Sequence, residues 1–147
     1  MKAGTIVAVC TSKHKGERKQ NVGTSTVLTG LGLEGDAHAG FQHRQISLLA
    51  LESIEKMQKL GLDVHPGDFA ENLTVSGLDL VALPVGTKMQ VNDVLLEVSQ
   101  IGKECHTRCA IYYQAGDCVM PKEGIFAVVL TGGTVSVGDR LEVVGHV

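Results

Sequence analysis

The sequence predicts one mostly β domain, a barrel or sandwich of short strands. Three observations predict it. The chain has 147 residues, the size of one domain with room for a real core. Its 18 glycines separate short runs of Val, Ile, Leu and Thr, and it has only three prolines. That is the rhythm of many strands joined by tight turns. Aromatic residues make up 3% of the chain and apolar residues 44%, so the core must be mostly aliphatic. No repeat, low-complexity tract or linker divides the chain, and residues 1–147 are read as a single domain.

Strands are expected at Thr5–Cys10, Ser25–Leu28, Gln45–Leu49, Leu73–Val75, Val94–Val98, Phe126–Leu130 and Arg140–Val144. Val94, Leu96 and Val98 alternate toward one face, and Leu141 and Val143 share another. Asn92-Asp93, Gly132-Gly133 and Gly138-Asp139 mark turns. One helix is expected from Ala50 to Leu60, with Leu51, Ile54, Met57 and Leu60 along one side. Glu52→Lys56 and Glu55→Lys59 are i,i+4 pairs in the favoured order, and Gly61 is a natural stop. A second helical turn is read near Cys109–Ala115. Residues Lys13–Thr24 are polar and basic without periodicity and read as a loop beside the barrel mouth.

Several function classes are excluded. The net charge is −3, without the basic excess of nucleic-acid binding, and the few aromatics argue against base-stacking platforms. No apolar stretch approaches the roughly 20 residues that span a bilayer. The apolar start, Ala3–Cys10, is followed at once by Lys13, His14 and Lys15, as in a first strand rather than a signal peptide. The expected compartment is the cytoplasm. Its four cysteines, Cys10, Cys105, Cys109 and Cys118, are then thiols, metal ligands or sulfur carriers rather than disulfides.

Three motifs can carry chemistry. The first is Gly32-Leu33-Glu34-Gly35-Asp36-Ala37-His38-Ala39-Gly40, followed by His43-Arg44-Gln45. Its glycines make a bent loop with exposed backbone N–H groups that a ligand can approach. Arg44, at a strand start, offers a fork for a phosphate or carboxylate. The same residues equally make a turn with an Asx cap and a surface arginine. The second motif is Pro66-Gly67-Asp68-Phe69-Ala70-Glu71-Asn72-Leu73. Glu71 and Asn72 stand between apolar neighbours, so they must find partners: backbone groups of a braced loop, the preferred reading, or a ligand. The third is Lys103-Glu104-Cys105-His106-Thr107-Arg108-Cys109, at the end of a strand. Cations beside two thiols favour the reactive thiolate. Cys10, inside a strand, is read as a buried packing residue. Cys105, His106, Cys109 and Cys118 also offer four N/S ligands, but the spacing suits neither a zinc site nor an iron–sulfur cluster, and no metal site is assigned.

Taken in order, GLEGDAHAG with HRQISL, GDFAENLTVSGLDL, the cysteine loop after LLEVSQ, and GIFAVVLTGGTVSVGDRLEVV resemble the MOSC family, the C-terminal domain of molybdenum cofactor sulfurases. The resemblance runs from Gly32 to Val144. It implies a distorted closed β-barrel with one or two short helices, and a role in handling the molybdenum cofactor, a pterin bearing a phosphate. In the larger sulfurases such a domain receives sulfur from a pyridoxal-phosphate-dependent desulfurase domain, with an essential cysteine as persulfide carrier. Counted from Ser99-Gln100, Cys105 best matches that cysteine. Two features depart from the family pattern. A Cys105/Cys109 pair stands where many relatives have one cysteine in an Arg-x-Pro-Cys context, and no aminotransferase-type domain is present, so no pyridoxal phosphate is expected on this chain.

The leading expectation is a sulfur-carrier or cofactor-binding module, possible as a sulfur transferase only beside a separate desulfurase. Arg44, with His38, His43, Lys103 and Arg108, would hold the anionic cofactor, and Asp36, Glu71 and Asn72 would shape the pocket. Cys105 would take sulfur from a cysteine desulfurase for a molybdoenzyme, with Cys109 as resolving thiol or second carrier. The rivals are a non-covalent cofactor carrier or insertion module, and a metal- or redox-sensing domain using Cys105, Cys109 and Cys118.

Overall fold

The computed structural model describes residues 2–14, 18–37, 39–40, 44–102 and 123–146. Among these residues eleven strands and one α-helix follow in order. They are β1 (Ala3–Thr11), β2 (Gln20–Asn21), β3 (Thr24–Leu28), β4 (Gly32–Leu33), β5 (Ile46–Ala50), α1 (Leu51–Lys59), β6 (Leu73–Ser76), β7 (Thr87–Val91), β8 (Val94–Ile101), β9 (Ile125–Thr131), β10 (Gly133–Ser136) and β11 (Arg140–His146). A short 3-10 turn, Leu80–Ala82, lies between β6 and β7. Among the described residues no helix is long and apolar enough to cross a membrane.

Seven strands close into a barrel in the order β11-β7-β8-β9-β5-β6-β1, with β1 returning to pair β11. Closure leaves the ring no open edge. All pairs in the ring are antiparallel except β5 and β6, which run parallel with Leu48 opposite Leu73. Parallel neighbours need a crossover, and α1 supplies it. Register breaks between Ile6 and Ala8, between Val143 and Gly145, and twice along β8 distort the barrel; such bulges bend a strand.

The interior follows the alternation read from the sequence. Val94, Leu96 and Val98 are buried, Leu141 is fully buried, and Val143 packs against the same cluster. Each such side chain contributes about 1.5–3 kcal/mol on burial. A second cluster, Leu49, Ile54, Met57, Val64, Phe69 and Phe126, lies between the barrel wall and α1.

Several expectations are corrected. The helix ends at Lys59, and Leu60 is 65% exposed; Ser53 is buried in its place. The helix charges face outward from their own turns: Glu52 accepts from the Gly77 N–H and Lys56 pairs with Glu123. The Gly132-Gly133 pair is not a hairpin turn, because β10 pairs with β3 rather than β9. Glycine is required there for close approach: a Cβ on Gly132 would fall 2.3 Å from the Val27 carbonyl oxygen. Within Lys13–Thr24, the expected loop, Gln20–Asn21 pairs with β1 and Lys19 is buried. The Cys109–Ala115 turn lies outside the described residues.

Candidate functional site

The glycine-rich loop crosses the end of β1, and five of its N–H groups are already used. Glu34, Asp36, Ala37, Ala39 and Gly40 donate to the carbonyls of Thr26, Leu33, Ser12, Asp36 and Leu31. The loop therefore positions side chains rather than offering a row of free amides.

Asp36 is the first of these side chains. Its Oδ1 lies 2.7 Å from Lys19 Nζ, with both side chains fully buried. Ser12 N–H donates to the same oxygen, and Lys19 also donates to Ser12 Oγ. Burial pushes the Asp36 carboxyl up. Hydrogen bonds from Lys19 and Asn72, together with the Lys19 charge, outweigh it and hold the group below the usual carboxylate range. Asp36 and Lys19 are thus an internal ion pair tying the loop to the segment before β2.

Asn72 continues the network. Its Oδ1 accepts from both the N–H and the hydroxyl of Ser47, and its Nδ2 donates to the Cys10 carbonyl. It bridges β1, β5 and the start of β6. Glu71 is wholly buried beside it. Its Oε2 accepts from Gly67 N–H at 3.0 Å and from the Thr74 hydroxyl at 2.8 Å. Its Oε1 is buried with no hydrogen-bond partner. Burial raises the Glu71 carboxyl, and the hydrogen bonds it accepts only partly oppose this. A carboxylic acid is the form that suits such a place. Gly67, at φ 94°, is needed here: a Cβ would meet the Lys19 carbonyl oxygen at 2.2 Å and Cys10 Sγ at 3.3 Å.

Arg44 stands apart from this buried set. It is half-buried at the start of β5. Its Nε donates to Gln100 Oε1 at 3.1 Å, and its guanidinium lies over the Phe126 ring, 5.3 Å from the centroid. Among the described residues no acid pairs with it. Gln100 in turn donates to the Gly102 carbonyl, and Gly102 N–H donates to Gly124 at 2.6 Å. Arg44 is therefore fastened at the point where the segment carrying Cys105 and Cys109 leaves and rejoins the barrel. Stacking and one fixed N–H orient the plane of the fork.

A cleft of about 650 Å³ opens beside the other end of the network, lined by Thr11, Ser12, Lys13, His14, Arg18, Gln20, Val22, Glu34 and Gly35. None of its cations was singled out from the sequence as a binding residue. The available signal was the basic density of Lys13–Lys19. Among the described residues no cluster of His, Cys, Asp or Glu could hold a metal ion. Cys10 is buried and free, as expected for a packing residue. His38, His43, Lys103, Cys105, Arg108, Cys109 and Cys118 lie outside the described residues.

The fold and this arrangement can be set beside known proteins. The family model for the MOSC domain matches residues 35–142. The chain belongs to the MOSC domain family. That family is associated with the molybdenum cofactor. The MOSC barrel here superposes on YuaD of Bacillus subtilis with a TM-score of 0.78 at 20% identity, covering 95% of this chain and 94% of that one. It superposes on YiiM of Escherichia coli with a TM-score of 0.68 at 24% identity, covering 100% and 72%. For YiiM of Geobacillus stearothermophilus the TM-score is 0.72 at 21% identity, covering 97% and 75%. These likenesses speak to the fold. No match is found among curated proteins.

Proposed function

We propose that this MOSC domain is a sulfur carrier in molybdenum cofactor maturation, with the phosphate-bearing pterin cofactor as its substrate. The observation that carries the reading is Arg44. It is a half-buried guanidinium with no acidic partner among the described residues, fixed by Gln100 and Phe126 beside the stem of the cysteine segment. A cation held in that way is suited to an anionic group brought in by a ligand. The donor set fits the cofactor in charge, since a phosphate supplies what Arg44 lacks.

Cys105 is the proposed carrier. Its thiolate attacks the outer sulfur of a persulfide on a cysteine desulfurase. The donor's S–S bond breaks, the donor cysteine leaves as thiolate, and Cys105 retains the sulfur as its own persulfide for transfer toward a molybdoenzyme's cofactor. Cys109 serves as resolving thiol or second carrier. The protein acts in the cytoplasm with the desulfurase as a separate partner, and needs no pyridoxal phosphate of its own. Asp36, Glu71 and Asn72 take a supporting part: all three are buried, and Asn72 fixes β5 through Ser47, three residues after Arg44.

Intact mass after incubation with a cysteine desulfurase and cysteine tests this. The expected result is a gain of one sulfur mapping to Cys105 and absent from Cys105→Ala. No gain, or a gain on Cys10, would remove the carrier step and leave a non-covalent cofactor carrier.

A further inference from the structure

We propose that the cleft at the end of β1 is an anion site in its own right, taking a small phosphate ester, and that the Pro66-Gly67-Asp68 turn holds Arg18 ready for it. The cleft volume, about 650 Å³, falls in the range of about 300–1,000 Å³ of small-molecule sites. Among the described residues its lining sets Lys13 and Arg18 against one acid, Glu34. The buried cation near it does not add to the field, because Lys19 is matched by Asp36 at 2.7 Å. The rim cations therefore set the potential that a ligand meets.

Arg18 is not a loose surface side chain. Lys19 N–H donates to the Gly67 carbonyl at 2.8 Å, which docks the backbone beside Arg18 onto the turn. Arg18 Nη1 lies 3.4 Å from Asp68 Oδ2. Asp68 is itself fixed: its Oδ2 accepts from His65 N–H at 2.9 Å and its own N–H donates to the His65 carbonyl. The turn thus engages one nitrogen of a fork that is 53% exposed. A planar fork held this way, with the Lys13 ammonium lining the same cleft, matches the oxygens of a phosphate. None of Arg44, Gln100 and Phe126 lines this cleft, so the two cation sites are distinct.

The proposal is independent of the sulfur-carrier reading, and a Cys105→Ala protein should bind the same anions as the wild type. Calorimetric titration of the full chain with inorganic phosphate and with ribose 5-phosphate tests it. The ester should bind more tightly than the free ion, since the cleft is larger than a phosphate. Arg18→Ala should weaken ester binding about tenfold, as expected for loss of a charge-assisted hydrogen bond. Arg18→Lys should restore only part of it, and Lys13→Ala should weaken it by a smaller factor. The proposal is overturned if the wild type binds neither probe at millimolar concentration, or if the free ion binds as well as the ester. It is equally overturned if Arg18→Ala leaves ester binding unchanged.

Discussion

Asp36 and Glu71 are both buried carboxyls of the same polar network, and they solve burial in opposite ways. Asp36 takes a cation in with it. Lys19 Nζ sits 2.7 Å away, and Ser12 N–H adds a donor, so the carboxylate stays charged. Glu71 has backbone and hydroxyl donors on one oxygen and no hydrogen-bond partner on the other, so burial outweighs its hydrogen bonds and raises the carboxyl. The contrast shows what the barrel mouth is made of. Its inner polar groups are consumed in holding Thr11–Ser12, Lys19, Gly67 and the start of β6 together. Among the described residues there, the cations left to meet a ligand are Arg44, and Lys13 and Arg18 in the cleft.

The largest effect comes from breaking the charged half of this comparison. Asp36→Asn keeps the shape but leaves Lys19 buried without a counter-charge, and should cost about 3–5 kcal/mol in urea unfolding. Lys19→Met/Asp36→Leu together should recover most of that loss, because a matched pair offsets its own desolvation only in part. A small loss in Asp36→Asn would mean that Lys19 reaches solvent. The pH dependence follows from the lowered carboxyl. Its contribution is present above the ordinary Asp range of about 3.9 and is lost as pH falls through the folded value, so wild type should lose acid stability that Asp36→Asn has already lost.

Glu71→Gln tests the raised carboxyl. The Glu71 carboxyl is raised in the folded state, so its contribution is complete below the unfolded value of about 4.3 and declines as pH rises through the folded value. Glutamine does not titrate. The stability of Glu71→Gln relative to wild type should therefore increase steadily from pH 4 to pH 8, read from denaturation midpoints. A difference that stays constant with pH would show that Glu71 does not titrate differently on folding.

A smaller, kinetic effect concerns Cys10. Burial first, and the nearby Glu71 second, push this thiol up to about 12. Iodoacetamide at neutral pH should label Cys105 first and leave Cys10 unmodified until the protein unfolds. Early labelling of Cys10 would mean that the network around it opens readily.

Much of the barrel was legible from residue order. β1, β8 and β11 carry the aliphatic alternation of half-buried strands, and α1 carries the helical one. β7 was missed although Thr87, Met89 and Val91 are buried in alternation, because Lys88, Gln90 and the unbranched Met89 leave the run without the aliphatic stretch that marked the other strands. β10 was missed because its glycines read as a turn. In the site, Arg44, Asp36, Glu71 and Asn72 were all visible as motif residues, and bracing was the preferred reading for Glu71 and Asn72. Their partners were not visible. Lys19 reaches Asp36 across 17 positions, and Gln100 reaches Arg44 across 56, contacts that only the closed barrel creates. A lysine inside a basic stretch looks solvated until its acid is found.

The central claim is that Arg44 holds the anionic cofactor beside the cysteine segment, and cofactor binding to wild type, Arg44→Ala and Arg44→Lys tests it most directly. Arg44→Ala should bind the molybdenum cofactor at least about tenfold more weakly, the effect of losing hydrogen bonds to a charged group. Arg44→Lys should recover only part, because an ammonium lacks the planar fork that Gln100 and Phe126 orient. Unchanged affinity in Arg44→Ala, with the fold intact by circular dichroism, would contradict the account.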